Sequence, residues 1–85
     1  MDERTADEVA KIFADAGDSV TVINGDKASE QTNDEWKAEL QRNVEHLETI
    51  KAYKKVDGST SIWTSESFTA IDAAVTSGKS KIAAL

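Results

Sequence analysis

Residues 32–53, TNDEWKAELQRNVEHLETIKAY, decide how this chain is read. Trp36, Leu40, Val44, Leu47, Ile50 and Tyr53 recur at spacings of three or four, which places them on one stripe of an α-helix. Thr32 and Glu35 stand three apart at its start, the spacing at which each side chain satisfies a free backbone donor of the other's residue. Lys54 and Lys55 follow the stripe with the sign that a helix C-terminus favours. The pattern predicts a helix over 33–55, a rod of roughly 30 Å at the usual rise per residue. Glu39 with Arg42, and Glu48 with Lys51, are placed to pair along its flanks at about 0.2–0.5 kcal/mol each.

Upstream, Thr5 and Glu8 repeat the same box, and Val9, Ile12, Phe13 and Ala16 fall on one face behind it. Gly17 then reads as a C-cap, so a first helix is expected over 5–16. Ser19-Val20-Thr21-Val22-Ile23 is β-branched at four of its five positions and runs into Asn24-Gly25, a strong two-residue hairpin signal. These residues predict a strand or short hairpin around 19–29. The return segment 26–31 has only Ala28 as an apolar residue, so the hairpin is expected to be imperfect or to lead into a polar loop.

Downstream, Asp57-Gly58 marks a turn, and six of the nine residues from Ser59 to Ser67 are Ser or Thr. Ile62 and Trp63 inside that run argue for a structured entry rather than a linker. With Thr64 as N-cap, Trp63 and Phe68 occupy the two positions of a hydrophobic staple. Phe68, Ile71 and Val75 define the inner face of a helix over 65–77 that Gly78 ends. The expected fold class is α+β, mostly α: three helices at 5–16, 33–55 and 65–77 with a small β element around 19–29. One domain spans 1–85, with residues 1–4 and 83–85 frayed.

At 85 residues the chain is too short for a two-domain enzyme, and its core is near the lower limit for independent stability. It has no cysteine, hence no disulfide, thiolate metal site or cysteine nucleophile. The net charge is −6, but residues 1–35 carry ten acids against three bases while residues 36–85 carry six against seven. The acidity is therefore local to the first part of the chain. It reads either as a solubilising face or as a docking face for a basic partner, such as an enzyme or DNA-binding protein that the chain would inhibit or assist. No Lys/Arg cluster suits nucleic acid or anionic lipid, and no apolar run approaches membrane-spanning length, so neither partner is expected. Met1-Asp2-Glu3-Arg4 lacks the basic start and apolar stretch of a signal peptide.

Nothing in the spacing recommends catalysis. His46 is the one histidine, flanked by polar turns of the long helix, and is expected at its rim. Neither Asp15-Ala16-Gly17-Asp18 nor Asn24-Gly25-Asp26 has the ligand density of a calcium loop, and the glycines stand singly rather than in a phosphate-binding cluster. No cofactor, metal or catalytic residue is expected. Trp36 and Trp63 carry more information, since aromatic side chains anchor both small cores and protein interfaces. Core is the default reading for both. The candidate interface residues are Trp36, Leu40, Tyr53, Trp63 and Phe68, together with the acids Asp7, Glu8, Asp15 and Asp18.

The stretches VINGDKASEQTNDEWKAELQRNVEHLETIKAY and SIWTSESFTAIDAAVTSGKSKI, within residues 19–82, resemble small uncharacterised proteins of tailed phages, especially those infecting marine cyanobacteria. Glu35 to Glu48 and Phe68 to Lys79 carry the resemblance, from which the acidic first helix departs. It implies a virion or assembly component, located in the virion or the host cytoplasm, with no catalytic or ligand residues to carry over. The expected role is a non-enzymatic structural module acting as a homo-oligomer or within a larger viral assembly.

Overall fold

A computed structural model describes residues 6–55 and 57–85, with side chains of the first helix from Ala10 onward. The described residues form three helices, α1 (Ala6–Asn24), α2 (Asn33–Ile50) and α3 (Ser65–Ala83), and no sheet. The expected α+β class is therefore corrected to a mostly helical small domain. The single β feature among these residues is an isolated antiparallel bridge between Lys54 and Ser61.

The largest revision is the segment 19–23, which continues α1 instead of forming a strand. Its β-branched residues lower helix propensity by only a few tenths of a kcal/mol each, up to about 0.7. Against that stands burial. Ile12, Ala16, Ser19 and Ile23 follow a four-three-four spacing that turns one face to the interior, and Ile23 is fully buried. Thr21 satisfies its hydroxyl within the helix by donating to the Gly17 carbonyl, 2.9 Å away. Gly17 thus sits inside α1 rather than capping it. The helix ends at Asn24-Gly25, where Lys81 of α3 donates to the carbonyl oxygens of Ile23 and Gly25. No basic residue of α1 itself stands in that last turn, so the cation its C-terminus favours comes from another helix. The Thr5–Glu8 box lies outside the described residues.

The expected hairpin return at 26–31 is instead a turn, in which the Gln31 N–H donates to the Ala28 carbonyl and the Ala28 N–H to Gln31 Oε1. Thr32 and Glu35 then make both bonds of the capping box. Hydrogen bonds from Thr32, first from its backbone N–H and then from its side chain, lower the Glu35 carboxyl below its ordinary value. Trp36, Leu40, Val44, Leu47 and Ile50 are all buried, as the stripe requires.

The helix stops at Ile50, short of the expected 55, because the chain folds back on itself. Lys55 N–H donates to Thr60 O, and Ile62 N–H to Tyr53 O, around a turn in which Gly58 takes φ 74°. A positive φ of this size favours glycine. Lys54 and Lys55 lie on this turn and not on the helix end. Thr64 caps α3 by accepting from the Ser67 N–H. The helix then runs through Gly78 to Ala83, so the expected end at 77 is corrected as well. Ile71, Ala74, Val75 and Gly78 face the interior, and Ile82 packs on its edge.

Candidate functional site

Two aromatic side chains placed by the spacing on inner helix faces are found at the surface. Phe13 is 44% exposed and Phe68 is 40% exposed. On α1 the core direction is taken by Ile12 and Ala16, which leaves Phe13 about 100° round the helix. There it meets Trp63, with ring centroids 5.0 Å apart and planes inclined at 52°. That tilted arrangement suits the ring quadrupoles. Trp63 is held from two directions: its indole N–H donates to the Ile50 carbonyl at 2.8 Å, and its backbone N–H donates to Ser61 Oγ at 3.1 Å. The Ile50 carbonyl, at the end of α2, accepts from the Tyr53 N–H as well, at 3.1 Å.

These two rings wall an open groove of about 450 Å³ between α1 and the start of α3. Phe13, Ala16, Gly17 and Val20 line it from α1; Ile62, Trp63 and Thr64 line it from the approach to α3. Ser67, Ala70 and Ile71 complete it from α3. No titratable side chain is among them. An uncharged, largely apolar hollow edged by exposed aromatic surface is suited to burying apolar side chains of another molecule. Its polar side chains, Thr64 and Ser67, are bonded to each other at 3.0 Å.

The expected interface residues are dispersed. Trp36 is 7% exposed and Leu40 fully buried, so the chain itself covers both. Tyr53 and Trp63 are half-buried and pack against the core, and of the two only Trp63 reaches the groove. Phe68 lies on the other side of α3, with the Lys51 ammonium 5.8 Å from its ring centroid; Lys51 also pairs with Asp72 at 2.9 Å. Asp15 pairs with Lys11 at 2.9 Å on the exposed side of α1, where Asp18 is exposed as well. The side chains of Asp7 and Glu8 lie outside the described residues. Phe13, Gly17, Ile62 and Ala70 line the groove and lie outside the expected interface set. Phe13 was the legible one, being a large apolar residue beside an already sufficient core face.

His46 is half-buried at the seam of α1 and α2, with its Nδ1 2.9 Å from Ser19 Oγ. A Ser–His contact is also the first element of nucleophile activation. Here Ser19 is 4% exposed, away from the groove, and its hydroxyl is closed to a substrate. The bond satisfies a buried polar group and ties two helices together. Among the described residues no three His, Asp or Glu side chains converge as metal ligands, and no helix is long and apolar enough to cross a membrane.

The fold and groove define a small three-helix bundle with an apolar cleft on one face. No protein family, curated protein or solved structure matches the chain.

Proposed function

We propose that this chain is a non-enzymatic structural module that works by protein–protein contact, assembling with further copies of itself through the α1/α3 groove. One observation carries the reading: an uncharged groove of about 450 Å³ whose wall includes a half-exposed Phe13 packed at a tilt against Trp63. Aromatic anchors beside a pocket are where binding energy concentrates in protein interfaces. A bundle this small gains stability by sharing burial with another subunit. The resemblance of residues 19–82 to tailed-phage proteins supports a place in a virion or in its assembly.

Sedimentation equilibrium of the native chain beside Ala70→Glu tests this. Ala70 is exposed and lines the groove, so the substitution leaves folding nearly unchanged while placing a charge in the contact. The native chain is expected to exceed 9.2 kDa and grow with concentration, and the variant to stay at the monomer mass with unchanged circular dichroism. Equal behaviour of the two rules the groove out as the contact.

A further inference from the structure

An asparagine amide is attacked most readily by the main chain when glycine follows, because glycine leaves the attacking nitrogen unshielded. The chain has three asparagines: Asn24 precedes Gly25, whereas Asn33 precedes Asp34 and Asn43 precedes Val44. Asn24 is exposed at the last position of α1, and among the described residues nothing bonds its carboxamide. Asn43 differs, since its Nδ2 donates to the Glu39 carbonyl at 2.8 Å within α2. The chemically comparable Asp57-Gly58 pair is also secured: the Asp57 carboxylate accepts from the N–H groups of Ser59 and Thr60 and from the Thr60 hydroxyl. A Cβ at position 25 would stand 3.3 Å from the Thr21 carbonyl oxygen, closer than side-chain carbons ordinarily pack. The end of α1 therefore favours the very residue that makes the pair reactive.

We infer that Asn24 is a site of self-modification, whose conversion to aspartate or isoaspartate releases the contact that Lys81 makes between α3 and α1. The Gly25 nitrogen attacks Asn24 Cγ, so that a new N–C bond forms and the Cγ–Nδ2 bond breaks. The proton of the Gly25 nitrogen passes through solvent to the departing amide nitrogen, which leaves as ammonia, and a succinimide remains. Water then opens the ring, at Cγ to give aspartate or at the main-chain carbonyl to give isoaspartate. Water is the one co-reactant.

Two contacts set the rate. The Gly25 N–H donates to the Val22 carbonyl at 3.2 Å, which keeps its proton in place and its nitrogen turned into the helix end. Lys81 donates to the carbonyl oxygens of Ile23 and of Gly25, the latter at 2.9 Å, and so holds the residues on both sides of Asn24. Ring closure must wait for this end of α1 to open. The product then undoes the arrangement. Isoaspartate routes the main chain through its side-chain carbons and adds a methylene between the two carbonyls that share one ammonium. Either product also places a negative charge at a helix C-terminus, where the dipole disfavours it, in a chain already at −6.

The native full chain, Lys81→Met and Trp63→Phe are aged at mildly alkaline pH, with the native chain in concentrated urea as the unfolded reference. Peptide mass spectrometry follows each asparagine, and enzymatic methylation reports isoaspartate. About three turns of α1 separate Asn24 from Phe13, against which Trp63 packs, so Trp63→Phe lowers stability without touching Lys81. Conversion is expected at Asn24 and not at Asn33 or Asn43, about thirtyfold or more slower in the folded native chain than in urea. Lys81→Met is expected to convert about five- to thirtyfold faster than the native chain, and Trp63→Phe to stay close to the native rate. The deamidated fraction, separated by its added charge, is expected to exchange its amide hydrogens at 20–23 about as fast as Lys81→Met does. Asn24 left intact in both the native chain and Lys81→Met, over the time that converts the unfolded chain, overturns the site. So does conversion of Asn33 or Asn43 as fast as Asn24 in the folded chain. Equal rates for Lys81→Met and the native chain, or for Lys81→Met and Trp63→Phe, overturn the control by Lys81. A deamidated fraction that keeps native exchange at 20–23 overturns the release.

Discussion

Gly78 of α3 receives the Cγ2 methyl of Val44 from α2 in the space where a larger residue would carry its Cβ. Ile23 of α1 comes within 3.4 Å of the same point, so all three helices meet around this glycine. Gly78→Ala is therefore expected to destabilise the fold by about 1–3 kcal/mol through overpacking, although alanine is the better helix former. Gly17→Ala, with open space around it, is expected to stabilise the isolated chain by about 0.5–1 kcal/mol. Urea unfolding of the two variants checks the contrast. Opposite signs support the placement of both glycines, and equal signs contradict it.

The bond from Lys81 to the end of α1 joins the last helix to the first. Lys81→Met keeps the apolar stem and removes the ammonium from the carbonyl oxygens of Ile23 and Gly25. A loss of about 1–2 kcal/mol is expected, the range for a charge-assisted bond that is partly buried. Amide hydrogen exchange in residues 20–24 should accelerate more than exchange in α2. Uniform acceleration throughout the chain would show that the contact does not act locally.

Trp63→Phe preserves a ring against Phe13 but deletes the indole N–H bonded to Ile50 O. About 1 kcal/mol is expected to go with that bond. Trp63→Ala also removes the ring from the groove wall, which should cost further stability and weaken self-association. Thermal unfolding and sedimentation separate the two effects: the Phe variant should melt lower while still associating.

Acid should loosen the 53–62 turn before the helices. Asp57 is held down to about 2 from 3.8, chiefly by the Thr60 hydroxyl and then by the backbone N–H groups of Thr60 and Ser59. A carboxyl lowered in the folded state contributes stability above its unfolded value, and that contribution is lost as pH falls through the folded value. The Ser59 and Thr60 amide resonances are therefore expected to shift as pH falls from about 4 through about 2, with the midpoint near the lower value. In Asp57→Asn the same resonances should lack that transition.

The long central helix was legible because its signals are local: the Thr32–Glu35 box and the buried stripe from Trp36 to Ile50 lie within one run. The extension of α1 through residues 19–23 was not. Ser19 breaks the apolar pattern, and its burial makes sense only with His46, 27 residues away, as its partner. With Ser19 unread, β-branched residues ending at Asn24-Gly25 favour a strand. Gly78 misled in a similar way, since an isolated glycine looks like a helix end until Val44 is seen against it. The groove depends on how the helices are rotated about their own axes. Sequence spacing placed Phe13 and Phe68 on apolar faces, and only the packing shows that smaller neighbours fill the interior ahead of them.

Self-assembly through the α1/α3 groove is tested most directly by sedimentation equilibrium of the native chain over a wide concentration range at neutral pH. A mass rising from 9.2 kDa to twice that value, abolished by Ala70→Glu, is the expected result. A native chain that stays at 9.2 kDa at several hundred micromolar, with Phe13 and Trp63 left open to solvent, would contradict it.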